Sequence, residues 1–285
     1  MAQLLINGTI KPYLEMGSAD GTPLLFLHGI LGAKETWEPV METLCNDEEF
    51  NNTHHLLAYS LAGFDKENEN TPKETFNTAI HADELIAFCD ALSLSKIKVV
   101  AWSYACHSVL LAAIKRPDLF KTILLYECIV PSYGLENSRD KMKAFTRDIT
   151  RMMAPSIKAI RRGDLLEAAN QFALACSNNE SFLDSQSPRV QAIKADNLHT
   201  LPLLLSQENP APITPDTIKT ISAKIGILWG EKSRAIFKLA SNALQGALDP
   251  EQLIKGSGEI ADVHHLLPEE NPEQFAELIK PLINK

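Results

Sequence analysis

A serine lies where an apolar run meets a helix-like segment near the middle of the chain. Residues 99–106 have the sequence VVAWSYAC, so Ala101 and Ala105 stand two positions before and after Ser103. Small residues at these positions allow a helix to approach a strand closely across a sharp turn, which would present the serine hydroxyl as a nucleophile. The same residues also fit an ordinary helix N-cap, so the other segments decide between the two interpretations.

Two other segments contain groups that a serine nucleophile needs. Residues 27–32 have the sequence LHGILG, in which Gly29 permits a tight turn at the end of an earlier predicted strand. Near the end of the chain, His264 and His265 precede the last predicted helix. A histidine at this place in a chain that already has a serine nucleophile would act as its general base.

These segments resemble motifs of the α/β-hydrolase family. Its nucleophile elbow is usually G-x-S-x-G, and both glycines are alanine here. The family's H-G loop and its elbow share an oxyanion, which implies that the backbone N–H groups of Ile30 and Tyr104 form the oxyanion hole. We also place three residues beside the substrate pocket, the first of them bracing the loop by hydrogen bonds: His28, Gly29 and Trp102.

The resemblance also selects one histidine. Family members usually have the catalytic histidine a few residues before an acidic-x-Pro segment that begins the final helix. His265 fits that position, because Glu270 and Pro272 follow it at the expected places. We therefore expect His265 to be the general base, with His264 as the alternative.

The family's catalytic triad adds an acid to the serine and the histidine, and in this chain the position of that acid departs from the usual pattern. Many members have it in a G-x-x-D segment after the penultimate strand, but that segment is GEKS here and Ser233 takes the place of the aspartate. The strand after the nucleophile ends near Glu127, 24 positions after Ser103, which resembles the haloalkane-dehalogenase-like branch. The resemblance implies Glu127 as the triad acid, in the chain order Ser, Glu, His. Glu231 and Asp262 are the alternatives.

Strands and helices alternate around these segments. Apolar runs predict strands that are separated by amphipathic helices, at residues 24–28, 54–59, 96–102, 121–126, 225–229 and, more briefly, 252–255. This order predicts an α/β fold with a mostly parallel sheet covered on both faces, as in an α/β-hydrolase. Between about Pro131 and Pro212, helix-like segments follow one another without a strand.

We therefore expect three parts of the chain: a first part of the core at 1–134, an inserted helical cap at 135–212, and the second part of the core at 213–285. Caps at this place in the family roof the active site and shape the substrate pocket. Four residues could give the cap an apolar face toward a substrate, although residues of this kind are more often plain core: Phe145, Met152, Met153 and Phe172.

Composition excludes several other classes of protein. The 285 residues include 27 Lys and Arg against 36 Asp and Glu, a formal charge of −9, so nucleic acids and anionic membranes are poor partners. Five cysteines without paired spacing suit a reducing compartment, and no targeting segment or long apolar stretch is recognisable; we expect a cytoplasmic protein. No metal or nucleotide motif appears, so we expect a small-molecule substrate and no cofactor. Oligomeric state stays open.

The sequence thus predicts a serine hydrolase that acts on a small, largely apolar ester, lactone or related carbonyl substrate. The resemblance to the haloalkane-dehalogenase-like branch does not imply dehalogenase activity, because that chemistry uses an aspartate nucleophile whereas Ser103 would form an acyl-enzyme. Two alternatives remain. One is a cofactor-free lyase or oxygenase on the same scaffold, and the other is a non-catalytic protein that binds a small ligand.

Overall fold

The computed structural model describes residues 2–6, 8–207 and 211–284. Its strands are β1 (Ala2–Ile6), β2 (Thr9–Gly17), β3 (Thr22–Leu27), β4 (His54–Tyr59), β5 (Ile97–Trp102), β6 (Phe120–Tyr126), β7 (Lys224–Gly230) and β8 (Gly258–Ile260). They form one sheet in the order β1-β2-β4-β3-β5-β6-β7-β8. β1 and β2 pair antiparallel with their neighbours, and the pairs from β4 to β8 are parallel.

The α-helices in the described ranges are α1 (Glu38–Cys45), α2 (Glu48–Thr53), α3 (Thr78–Ala91), α4 (Tyr104–Lys115), α5 (Arg139–Ile160), α6 (Leu165–Cys176), α7 (Pro188–Asp196), α8 (Thr200–Ser206), α9 (Pro215–Ile218), α10 (Ala235–Ala247), α11 (Leu267–Glu270) and α12 (Pro272–Ile283). Short 3₁₀ turns occupy Lys34–Trp37, Lys66–Asn68, Lys73–Thr75, Pro131–Tyr133, Leu135–Asn137 and Leu183–Ser185. Within these ranges, no helix is long and apolar enough to span a bilayer.

The central strands are buried along almost their whole length because helices cover both faces of the sheet. Every residue of β5 is buried; Val99 packs in the layer that contains α3 and α4, whereas Val100 packs in the layer that contains α1 and α12. Alternate residues of a parallel strand point to opposite faces, so a strand covered on both sides loses the polar alternation of a half-exposed one. The predicted α/β-hydrolase fold is confirmed.

Two details differ from the sequence expectation. The predicted strand at 252–255 is wrong: Leu253 makes only an isolated bridge with Ile225, and the edge strand β8 lies slightly later. The antiparallel strands β1 and β2, at the opposite edge, were not predicted. Only Ile6 of β1 is buried, so β1 lacks the strong apolar run that identified the central strands.

Helices occupy the segment between β6 and β7. We call residues 131–218 the insertion; its described part contains α5 to α9 and no strand. α5 and α6 pack against each other, and α5 also packs against α10 of the core. The predicted cap at 135–212 falls within this segment, and its residues 208–210 lie outside the described ranges. The three-part division of the chain stays a prediction.

Candidate active site

Ser103 lies on a sharp turn between β5 and α4. Its backbone has φ 55° and ψ −115°, a conformation that residues with a Cβ rarely adopt. Its N–H donates to the carbonyl of Tyr126 on β6 at 2.9 Å, which fixes the turn against the neighbouring strand. Ala101 and Ala105 are fully buried on either side, where larger side chains would separate helix and strand. The turn has the geometry of a nucleophile elbow.

The loop after β3 packs directly against this serine. A Cβ added at Gly29 would lie 3.2 Å from the Cβ of Ser103, a tight contact that the glycine avoids. Among the described residues, the backbone N–H groups of Ile30 and Tyr104 have no hydrogen-bond acceptor; that of Tyr104 is free because it begins α4. Two unpaired amides beside a serine can bind an oxyanion.

His28 braces this loop from behind. Its Nε2 accepts a hydrogen bond from Leu61 N at 3.1 Å, so the proton is on Nδ1, which donates to Gly29 O at 2.8 Å. Burial lowers the pKa of His28 to about 4, which keeps the ring neutral. Of the three residues predicted beside the substrate pocket, Gly29 and Trp102 line it and His28 does not, because its fully buried ring lies beneath the loop.

His265 lies in the same pocket as Ser103, between two aromatic rings. Its ring stacks on Phe237 with centroids 4.0 Å apart, and its carbonyl accepts from Trp102 Nε1 at 2.9 Å. Nδ1 lies 3.4 Å from Glu127 Oε2. Burial lowers the pKa of His265 while Glu127 raises it, with burial the larger effect, so the ring is neutral at rest. With Nδ1 donating to the carboxylate, Nε2 is the basic nitrogen.

Glu127 follows β6 directly, with φ 63°, and its side chain is fully buried. Its Oε1 accepts from Gly230 N and from Ser233 Oγ, both at 2.6 Å, while its Oε2 faces His265. These donors hold the carboxylate in one orientation, as a triad acid requires. Ser233, which takes the usual place of the acid in the sequence, therefore donates to the carboxylate that the sequence predicts as the acid. Sequence reasoning missed this contact, although it had noted both residues.

The alternative residues lie elsewhere. Glu231 is exposed and accepts a hydrogen bond from Asp262 N at 3.0 Å. The Asp262 side chain is 87% exposed and pairs with Lys232. His264 pairs with Glu270 at 3.1 Å. The structure therefore brings Glu127, and neither alternative acid, to His265.

The pocket is narrow, with free space for about one water molecule. The core contributes Gly29, Ile30, Leu31, Trp102, Ser103, His265 and Leu266, and the insertion contributes Phe172, Ala173, Cys176 and Lys194. Of the four residues suggested for an apolar cap face, Phe172 lines this pocket. Phe145 and Met152 are buried in the core, and Met153 lines a separate surface groove. Sequence reasoning missed Cys176 and Lys194, which no local pattern connects to the serine.

Metal-binding residues do not cluster in the described part of the chain, where no three His, Cys, Asp or Glu side chains meet in a way that could hold an ion. The polar side chains that meet at the site are His265 and Glu127, which lie beside the pocket of Ser103. With Ser103, the chemistry they can perform is proton transfer and nucleophilic attack.

A mostly parallel sheet that carries an elbow serine, a later carboxylate and a late histidine at one edge defines the α/β-hydrolase class. The sequence model described as alpha/beta hydrolase fold matches residues 22–204, and the chain belongs to this family.

Comparisons with individual proteins agree with this fold. The chain is 27% identical over 116 residues to a probable alcohol acetyltransferase of Cyberlindnera jadinii, a match that spans 40% of this chain and 30% of that protein. An epoxide hydrolase of Bacillus megaterium superposes with a TM-score of 0.71 at 16% identity, covering 100% of both chains. Est816, described as an N-acyl homoserine lactone degrading enzyme, superposes with a TM-score of 0.66 at 20% identity, covering 98% of this chain and 99% of that one.

Proposed function

We propose that this protein is a serine hydrolase that forms an acyl-enzyme on Ser103 from a small, largely apolar ester, lactone or related carbonyl substrate. One observation carries the proposal: the strained serine shares a pocket with a buried histidine whose Nδ1 lies 3.4 Å from a fully buried carboxylate. Strain of this kind persists where the surrounding structure enforces it, and it clusters at active sites.

The proposed reaction follows from the positions of the three side chains. His265 Nε2 takes the proton from Ser103 Oγ as that oxygen attacks the substrate carbonyl carbon. Glu127 accepts the Nδ1 hydrogen bond and stabilises the imidazolium that forms. The negative oxygen is bound by the N–H groups of Ile30 and Tyr104. His265 then gives its proton to the leaving group, and water deprotonated by the same ring releases the acid.

The insertion supports the description of the substrate as small and largely apolar. We propose that it acts as a cap: Phe172, Ala173 and Cys176 come from α6 and close the pocket over Ser103. A site closed in this way excludes water from the oxyanion and strengthens its hydrogen bonds. Because the closed pocket has room for about one water molecule, binding of any ester would require the insertion to move away from Ser103.

Labelling with a fluorophosphonate probe tests the proposal. We expect stoichiometric labelling of the wild-type protein, none of Ser103→Ala and slow labelling of Glu127→Gln. Ser108→Ala is the matched control, because Ser108 is buried in α4, the helix that follows Ser103, and its Oγ has no hydrogen-bond partner in the described part of the chain. A folded wild-type protein that remains unlabelled would contradict the proposal and support a non-hydrolytic or ligand-binding function.

A second candidate function is acyl transfer to an alcohol. The sequence match to a probable alcohol acetyltransferase favours it, and the chemistry differs only in the second step, where an alcohol replaces water at the acyl-enzyme. Product analysis in the presence of ethanol distinguishes the two functions. Transfer predicts that the ethyl ester accumulates in preference to the free acid, whereas hydrolysis predicts the acid alone.

A further inference from the structure

A buried lysine of the insertion lines the pocket that contains Ser103. Lys194 belongs to α7, and its side chain is 3% exposed. Its Nζ lies 2.5 Å from Oε2 of Glu269, whose side chain is 1% exposed. Glu269 lies four residues after His265, so the ion pair joins the insertion to the core beside the catalytic histidine. The proposed reaction uses neither residue.

The ammonium group of Lys194 has more donors than protein acceptors. A lysine carries three N–H groups, and Glu269 is the one acceptor bonded to it among the described residues. The surroundings in the pocket are largely apolar, because Phe172 and Leu266 are neighbouring wall residues. A buried donor is costly when it lacks an acceptor, so Lys194 favours a ligand that supplies one.

The ion pair also decides the charge of that ligand. Glu269 already balances the charge of Lys194, so a carboxylate placed beside the pair would be a second negative charge in a poorly solvated site. A neutral oxygen meets the free N–H groups without this penalty. The chemistry favours a keto, amide or ether oxygen over an acid.

We propose that Lys194 is a specificity-determining residue, which donates a hydrogen bond to a neutral acceptor oxygen on the acyl part of the substrate. This proposal rests on the function proposed above, since it assumes that the acyl group is bound in the pocket of Ser103. Because Lys194 and Ser103 line the same small pocket, we expect the acceptor within a few carbons of the reacting carbonyl. The substrate class is therefore short acyl esters or lactones that carry a second oxygen function.

Three esters of nearly equal size test this preference: ethyl pentanoate, ethyl 4-oxopentanoate and monoethyl succinate. They carry a methylene group, a neutral acceptor and a carboxylate, respectively, toward the far end of the acyl chain. For the wild-type protein we expect kcat/KM to be highest for the 4-oxo ester, about tenfold above ethyl pentanoate, a discrimination typical of one hydrogen bond. Monoethyl succinate should be the poorest substrate.

Variants of the ion pair should change these ratios in different directions. Lys194→Met should remove the preference for the 4-oxo ester, and Lys194→Met with Glu269→Gln should do the same without leaving a carboxylate buried alone. Glu269→Gln by itself frees the ammonium charge and should improve the use of monoethyl succinate relative to the other esters. Lys158→Met, an exposed lysine on α5, is the control and should leave all three ratios unchanged.

Binding to Ser103→Ala protein separates this proposal from the proposed hydrolysis. The dissociation constants of the three esters should follow the same order, and the order should disappear in Ser103→Ala with Lys194→Met. If the wild-type protein hydrolyses none of the esters, the proposed function fails, while the binding order still tests Lys194. The inference is overturned if the double variant of the ion pair weakens all three esters equally, because Lys194 would then only hold the insertion to the core.

Discussion

The floor and the roof of the pocket are built in different ways. The floor comes from the sheet: Ser103 and Glu127 follow β5 and β6 directly, each with positive φ, and hydrogen bonds fix both turns. The roof comes from the insertion, where Phe172 and Lys194 lie on separate helices. Turns at strand ends thus position the groups of the proposed reaction, whereas the packing of helices shapes the space above them. We expect substitutions in the floor to change catalysis, and those in the roof to change stability and substrate choice.

The largest effect should come from the acid in the floor. Glu127→Gln keeps the size of the side chain but removes the charge that stabilises the His265 imidazolium, so we expect kcat to fall by about 10⁴. Steady-state kinetics with a p-nitrophenyl ester measures this. Glu231→Gln is the matched control, since Glu231 is exposed and its carboxylate accepts from Asp262 N. A comparable loss in Glu231→Gln would contradict the assignment of Glu127 as the triad acid.

The roof should respond most strongly in stability. Lys194→Met leaves Glu269 buried without its partner, and removing one partner of a buried pair typically costs about 3–5 kcal/mol. The combination with Glu269→Gln should restore most of that free energy, because no unpaired charge remains. Urea unfolding followed by circular dichroism measures both variants. Equal destabilisation in the single and double variants would show that packing of the lysine stem, and not charge, is what holds the roof.

The floor of the pocket could be predicted from the sequence in large part, and the roof could not. Ser103 could be located because the need for small neighbours at an elbow is local, and it appears within five residues. The alternation of apolar runs predicts the fold for a similar reason. Glu127 needed the family resemblance, since nothing local separates a buried strand-end carboxylate from an exposed one.

The roof could not be predicted, because its contacts are distant in sequence. Lys194 and Glu269 are 75 positions apart, and neither stands in a pattern that indicates burial. Ser233 shows the same limit in the floor. It stands where the family usually has the acid, yet only the fold shows that its hydroxyl donates to Glu127. Periodicity reports which face of an element is apolar, and not which polar groups meet across the molecule.

A smaller effect should come from the loop that borders the floor. In Gly29→Ala the added methyl group would lie 3.2 Å from the Ser103 Cβ, so the loop or the serine must shift by a few tenths of an ångström, and we expect this to misalign the Ile30 N–H and the serine. We expect kcat to fall by about 10- to 100-fold with little change in KM, as for a weakened oxyanion contact. Gly246→Ala in α10 is the control: no atom lies within 4 Å of its added Cβ, so activity should be unchanged. If Gly29→Ala raised KM instead, the loop would act in binding.

The smallest effect concerns the pH dependence of the rate, which depends on the burial of His265. Burial lowers the pKa of His265 below its ordinary value of 6.5, so its base form should persist, and the acid limb of kcat/KM should have its midpoint below pH 6.5. Glu127 opposes this shift by raising the pKa, so the residual activity of Glu127→Gln should have an acid limb at still lower pH. Rate profiles between about pH 4 and 8 measure both midpoints.

Unfolding in acid must be separated from the titration of His265. Other buried histidines make the fold less stable as the pH falls. The pKa values of His28 and His107 are each lowered to about 4 by burial, so both rings stay neutral in the fold where the unfolded chain takes up protons. Their contribution to stability is complete above pH 6.5 and is lost as the pH falls toward 4. Circular dichroism at each pH identifies where the fold is intact, and the kinetic midpoint is read only there. A midpoint above pH 6.5 in folded protein would mean that the charge of Glu127 outweighs the burial of His265.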